Sequence, residues 1–230
     1  MKYRHSLILG GVILCLGLMV PVWGFSGETG SQFLIGFTAL DEDEIDFKEV
    51  EGLENFDLKD KMNLSDMISI GAAGYSNLAG EKTALGVEYG AIFSGMADDV
   101  DSTTANGQTE MSADGSLLLF DIFLGPQINT RAGDKIRFYC GAGPLLMYGH
   151  ISADFEQDGT EETDEIDISE NDSALGVGGY LRFGAEFSIS RDSALGMGFR
   201  WFTASLDFND TLGDVDINGP QVFFNYTASF

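Results

Sequence analysis

Eight stretches of the chain alternate apolar and polar residues, at 31–40, 65–76, 83–94, 116–126, 135–150, 174–189, 194–206 and 220–230. Period-two alternation predicts strands with two chemically different faces. In the sixth stretch Leu175, Val177, Leu181, Phe183, Ala185, Phe187 and Ile189 fall on one side, and Gly176, Gly178, Tyr180, Arg182, Gly184 and Glu186 on the other. The third repeats this, with Leu85, Val87, Tyr89, Ala91 and Phe93 opposed to Gly86, Glu88 and Gly90. Each stretch has about the ~9–11 residues a tilted strand needs to cross a bilayer, or more.

The connections alternate in length. Segments 41–64, 95–115, 151–173 and 207–219 are long, while 77–82, 127–134 and 190–193 are short. Long connections at one end and short turns at the other predict an all-β fold, an eight-stranded antiparallel up-and-down transmembrane β-barrel with its short turns in the periplasm. Charge sorts the same way: the long connections hold 29 of the 37 acidic residues, and the short turns hold Lys82, Arg131 and Arg191. A secreted β-sandwich or lipocalin-like barrel would alternate too, but its solvent face would then be the one rich in Gly, Arg and Tyr.

The last stretch, Pro220 to Phe230, places Val222, Phe224, Tyr226, Ala228 and Phe230 on one face. It resembles the carboxy-terminal strand signature of bacterial outer-membrane β-barrels, which implies recognition by the barrel-assembly machinery. At the other end Lys2, Arg4 and His5 precede an apolar run from Leu7 to Val22 and then Trp23-Gly24-Phe25-Ser26-Gly27. This is the layout of a secretory signal peptide. The small residues favour cleavage after Gly24, with Ser26 as a second position, leaving a signal peptide over 1–24 and a barrel domain over 25–230. The run is shorter than the ~20 residues of a spanning helix, so an uncleaved anchor is the lesser reading. Leu14 stands where a lipidated Cys15 would need a small residue.

Removing Lys2 and Arg4 leaves ten basic against 37 acidic residues, which argues against a nucleic-acid partner. Cys140 would be the one remaining cysteine, so no disulfide is expected within the chain.

With apolar faces outward, the inward set contains Glu88, Asp121, Arg137, Tyr139, Tyr180, Arg182, Glu186, Arg200, Gln221 and Asn225. An eight-stranded interior is barely wide enough for its own side chains, and unpaired charges inside it would be costly. A hydrogen-bonded ionic filling is therefore expected. The pattern over 31–230 is similar to the small outer-membrane barrels of the protein A and X type, which implies a charged plug rather than an open channel.

Three further sets of residues are candidates for chemistry. His150-Ile151-Ser152 resembles the His-x-Ser arrangement of the outer-membrane lipid A deacylase family, in which His150 would activate Ser152 with help from Glu161, Glu162 or Asp164. Ala153 and Asp154 depart from that pattern, and an interface histidine at the strand rim is the expectation. Asp214-Val215-Asp216-Ile217-Asn218-Gly219 matches the first half of a calcium loop, with Asp214, Asp216 and Asn218 as ligands, but Asn225 stands where the closing glutamate belongs. Weak Ca2+ or Mg2+ binding could also involve Asp41-Glu42-Asp43-Glu44 and Glu161-Glu162-Thr163-Asp164-Glu165, and no other cofactor is implied. Gly141-Ala142-Gly143-Pro144 and Gly176-Val177-Gly178-Gly179 lack the strand-turn-helix setting of a phosphate loop.

The expectation is a non-enzymatic outer-membrane protein with a structural or surface-interaction role, acidic external loops and a charge-paired lumen. Outer-membrane lipid and lipopolysaccharide are its expected partners, the latter through divalent cations. Phe33, Ile35, Phe37, Trp201, Tyr226 and Phe230 belong to the lipid-facing wall and its aromatic girdles. A small channel or a lipid A-modifying hydrolase are the alternatives.

Overall fold

The computed structural model describes residues 28–40, 66–103, 110–157, 166–208 and 213–229. Eight strands run in chain order: β1 Thr29–Ala39, β2 Asp66–Ala79, β3 Thr83–Thr103, β4 Glu110–Ala132, β5 Ile136–Gln157, β6 Ile166–Ser188, β7 Ser193–Phe208 and β8 Gly213–Ser229. Each pairs antiparallel with the next, and β1 pairs with β8, from Gly30 opposite Ser229 to Thr38 opposite Gln221. The sheet is closed, so the lower barrel has no free edge to protect.

The turns β2–β3, β4–β5 and β6–β7 share one end. Two of them depend on glycine: Gly80 and Gly133 have φ of +99° and +70°, where a Cβ is disfavoured. The proposed signal peptide, the acidic runs at 41–44 and 161–165, and Phe230 lie outside the described residues.

The strands depart from the sequence expectation in length. Segments 95–115, 151–173 and 207–219, read above as loops, are largely strand: β3 continues to Thr103, β4 starts at Glu110, β5 reaches Gln157, β6 starts at Ile166 and β8 at Gly213. Acidic residues interrupt the apolar alternation there, and that is consistent with a sheet in water, which needs no apolar outer face. A 23-residue strand such as β4 extends about 75 Å at about 3.3 Å per residue, well beyond bilayer needs.

Apolar residues form the outer wall over most of the barrel. Phe37 and Val177 are 65% and 72% exposed, and Ile35, Leu85, Leu181, Phe224 and Tyr226 also project outward. Toward the end with the longer connections the faces exchange chemistry without any change of register. On β7, Leu195, Met197 and Trp201 point out while Gly196, Gly198 and Arg200 point in. Beyond Trp201, Thr203, Ser205 and Asp207 are exposed, and Phe202, Ala204, Leu206 and Phe208 are buried. Along β7 the lower part is built for lipid and the upper part has the apolar core and polar exterior of a water-soluble sheet, while the neighbouring β6 keeps Leu175 and Val177 outward at that level.

Candidate functional site

The interior is filled by three ionic clusters, two of them linked through Gln32. At the turn end, Glu186 on β6 accepts from Arg137 Nε at 2.8 Å and from Arg137 Nη2, and from Gln32, Asn225 and Thr227. The Arg137 guanidinium lies 4.0 Å from the centre of the Tyr75 ring. One level up, Arg182 donates to Glu88 at 3.1 Å and to Gln32, and packs 4.8 Å from the ring centre of Tyr139. Gln32 thereby joins two clusters, since its amide nitrogen donates to Glu186 and its carbonyl accepts from Arg182. Gln127 donates to Glu88 at 3.2 Å.

The third cluster lies higher. Arg200 makes a fork on Asp121, Nη1 to Oδ2 at 3.0 Å and Nη2 to Oδ1 at 2.7 Å, and also donates to Gln221. Rings of Phe123, Tyr180 and Phe202 surround its guanidinium at 4.9, 5.3 and 5.6 Å. Gln221 passes the chain on to Thr38 at 2.8 Å, and Thr38 bonds Ser69 at 2.6 Å, which bonds Ser94 at 2.8 Å. Three arginines meet three carboxylates one to one, all buried.

Inward glycines make the room. A Cβ at Gly141 would lie 2.0 Å from the Glu88 carboxylate, one at Gly184 would lie 2.4 Å from the Tyr139 hydroxyl, and one at Gly90 would lie 2.4 Å from the Phe123 ring. Large charged or aromatic side chains on one strand thus occupy the space left by glycines on others.

Every one of the ten inward residues named from the sequence stands in this interior. Gln32, Tyr75, Gln127, Thr227 and the Thr38–Ser69–Ser94 hydroxyl set were not among them, although each occupies the inward phase of its strand. Also absent from that reading is a second filling above the ionic one: Leu117, Leu119, Met147, Ile151, Leu206 and Phe208 are buried together and share the inward phase with Arg200 and Asp121. The signal was present in Phe202, Ala204, Leu206 and Phe208, which take the phase opposite to Leu195, Met197 and Trp201.

The other candidates are not brought together. His150 and Ser152 share the outer face of β5, but the Nδ1 of His150 bonds Ser173 Oγ on β6 at 2.8 Å, and Tyr148 donates to the same oxygen at 3.0 Å. Residues two apart on a strand are about 6.6 Å apart, while direct cross-strand neighbours approach to about 5 Å, so the register opposite Ser173 decides His150's partner. Glu161, Glu162 and Asp164 fall outside the described residues. Asp214, Asp216 and Asn218 are on strand β8 rather than in a calcium turn. Extended backbone spreads three such residues over about 13 Å, too far to wrap one ion with ligands at 2.3–2.6 Å. No group of three or more metal-ligating side chains occurs among the described residues. Cys140 is exposed on the outer wall.

At the top, β3–β6 outrun their neighbours. The β2–β3 register ends with Ile68 opposite Gly95 and β2 starts at Asp66, so residues 98–103 of β3 pass beyond it. The β6–β7 register ends with Gly176 opposite Leu206 and β7 stops at Phe208, so residues 166–173 of β6 pass beyond that side. The projecting segments 98–103, 110–114, 153–157 and 166–172 contain ten acidic residues and no Lys or Arg.

No protein-family model matches the sequence, and no curated protein matches it. Several solved structures are similar in form. Ail of Yersinia pestis, solved with the heparin analogue sucrose octasulfate, has 12% identity over 89% of this chain and 99% of its own, with a TM-score of 0.43. The outer membrane protein OprG from Pseudomonas aeruginosa has 13% identity over 90% and 97%, with a TM-score of 0.45. The outer membrane protease OmpT from Escherichia coli has 10% identity over 72% and 64%, with a TM-score of 0.38.

Proposed function

We propose that this chain is an outer-membrane surface-interaction protein: a lipid-spanning barrel, closed to ions, that holds a four-stranded acidic sheet above the outer leaflet and offers its edges to partner proteins. The observation that carries the reading is the run of β3–β6 past β2 and β7, which leaves strand edges without a strand partner among the described residues. Such an edge is a template for an added strand, whose backbone hydrogen bonds supply affinity. The exchange of faces near Trp201 supports placing that sheet in water while the apolar wall below lies in hydrocarbon. Short turns at the opposite end fit a periplasmic position for that end.

The doubly filled interior speaks for a silent barrel over a small channel. The proposal keeps two features of the sequence reading: recognition of the β8 segment by the barrel-assembly machinery, and contact of the acidic connections with lipopolysaccharide through Ca2+ or Mg2+. A catalytic role is not part of it, because the His150 ring is engaged by Ser173.

Hydrogen exchange of the protein in lipid nanodiscs tests the docking edge. An uncharged eight-residue Thr-Val repeat peptide, added in excess, should slow exchange of the backbone amides at 166–171 and leave β1 and β2 unchanged. Unaltered exchange at both projecting edges with every extended peptide tried would remove the docking role.

A further inference from the structure

We infer that the projecting β6 edge at 166–171 takes an extended, lysine- or arginine-rich segment of a partner protein, an assignment that rests on the strand-docking reading above. The two edges differ in their surroundings. The chain leaves 25 residues, 41–65, between the described parts of β1 and β2, but only four, 209–212, between β7 and β8, fewer than the six of the 166–171 edge. On the β5 side the segment is fully registered, from Gln157 opposite Ile166 to Ser152 opposite Asn171, so the strand is held in extended form, and its other side has no strand partner among the described residues. Its lower limit is marked by Ser173, whose hydroxyl is engaged by His150 and Tyr148.

Charge decides the occupant. The edge strand contains Asp167 and Glu170, and the strands behind it add Asp154, Glu156, Glu110 and Asp114 with no basic residue among the projecting segments. An added strand lies about 4.8 Å from the edge strand, inside the ~8–10 Å screening length of physiological salt, so its side chains feel this field. Cationic side chains are drawn in and anionic ones are repelled. A second copy of this chain, with a formal charge of −25, meets like charge with like and is the disfavoured occupant. Polyanionic saccharide is disfavoured for the same reason.

The test compares Lys-Val, Thr-Val and Glu-Val repeat peptides of eight residues by amide protection at 166–171 in nanodiscs, at about 50 mM and about 500 mM salt. The Lys-Val peptide should bind about tenfold more tightly than Thr-Val at the lower salt, with the gap closing at the higher, where the screening length falls to about 4 Å. The double variant Asp167→Lys/Glu170→Lys, which alters only the projecting edge, should shrink the Lys-Val advantage over Thr-Val from about tenfold to less than about threefold. Equal protection by Thr-Val and Lys-Val at low salt overturns the cationic assignment and leaves strand docking standing. Binding of Lys-Val elsewhere, without protection at 166–171, overturns the assignment as well. Absence of protection by all three peptides overturns the docking reading itself.

Discussion

Arg200 and Asp121 face each other across the interior from β7 and β4, joined by two parallel hydrogen bonds of 3.0 and 2.7 Å inside a collar of aromatic rings. Neither has appreciable solvent exposure, so each is the other's counter-charge. Arg200→Met should cost about 3–5 kcal/mol, because it strands a buried carboxylate. The double variant Arg200→Met/Asp121→Leu should recover most of the loss, since a well-packed apolar pair is a fair substitute for a buried ion pair. Urea midpoints, followed by heat-modifiable gel migration, would report both. A single variant costing less than about 1 kcal/mol would mean that the pair is hydrated.

Conductance should not appear when one arginine is removed. Arg182→Ala opens the middle ionic cluster, yet Leu117, Met147, Leu206 and Phe208 still fill the interior above it. Planar-bilayer recordings of Arg182→Ala should therefore be silent. Steps should emerge once Leu206→Ser and Phe208→Ser are added. Ionic steps from the native chain would turn the assignment toward a channel.

Two glycines should fail for different reasons. Gly141→Ala pushes a methyl toward the Glu88 carboxylate and should cost about 1–3 kcal/mol through overpacking. Gly133→Ala meets nothing within 4 Å, but sits at φ +70°, so it should cost about 1 kcal/mol from backbone strain. Gly133→Asn should be milder, since asparagine tolerates that conformation. If Gly141→Ala and Gly133→Ala were both rescued by asparagine, the packing account of Gly141 would be wrong.

The exchange of faces predicts where charge is tolerated on the outer wall. Phe224→Lys, in the apolar belt, should cost about 2–4 kcal/mol, whereas Ser205→Lys, above Trp201 on β7, should change stability by less than about 0.5 kcal/mol. Equal penalties at the two sites would place both in hydrocarbon.

His150→Ala and Ser173→Ala should leave the masses of outer-membrane lipids unchanged in cells producing the protein. Deacylated lipid made by the native chain and lost in both variants would instead make this pair a hydrolytic site.

Strand number, order and the faces of the lower barrel were legible because lipid and lumen impose opposite demands on neighbouring residues. Leu181 and Arg182 could hardly exchange places. Single-residue reasoning also found the ionic interior, since an inward Arg200 must find an acid. It passed over Gln32 and Thr38 because uncharged polar residues suit either face. The upper core is hidden from a rule that expects lipid outside along whole strands, because Phe202 to Phe208 on β7 reverse the phase of Leu195 to Trp201. His150's partner depended on register: Ser152 is near it in sequence, while Ser173 lies opposite it in space.

Closure of β1 onto β8 sets a timing rule for biogenesis. Gly30 cannot find Ser229 until all the strands between them have been made, and until then the first strand keeps an unsatisfied edge. Because this seam joins the most distant parts of the sequence, it carries the largest loop-closure cost and is expected to form last. The outer edge of β1 must accordingly be kept from other partners until β8 arrives, so closure of the barrel is the step that waits on synthesis.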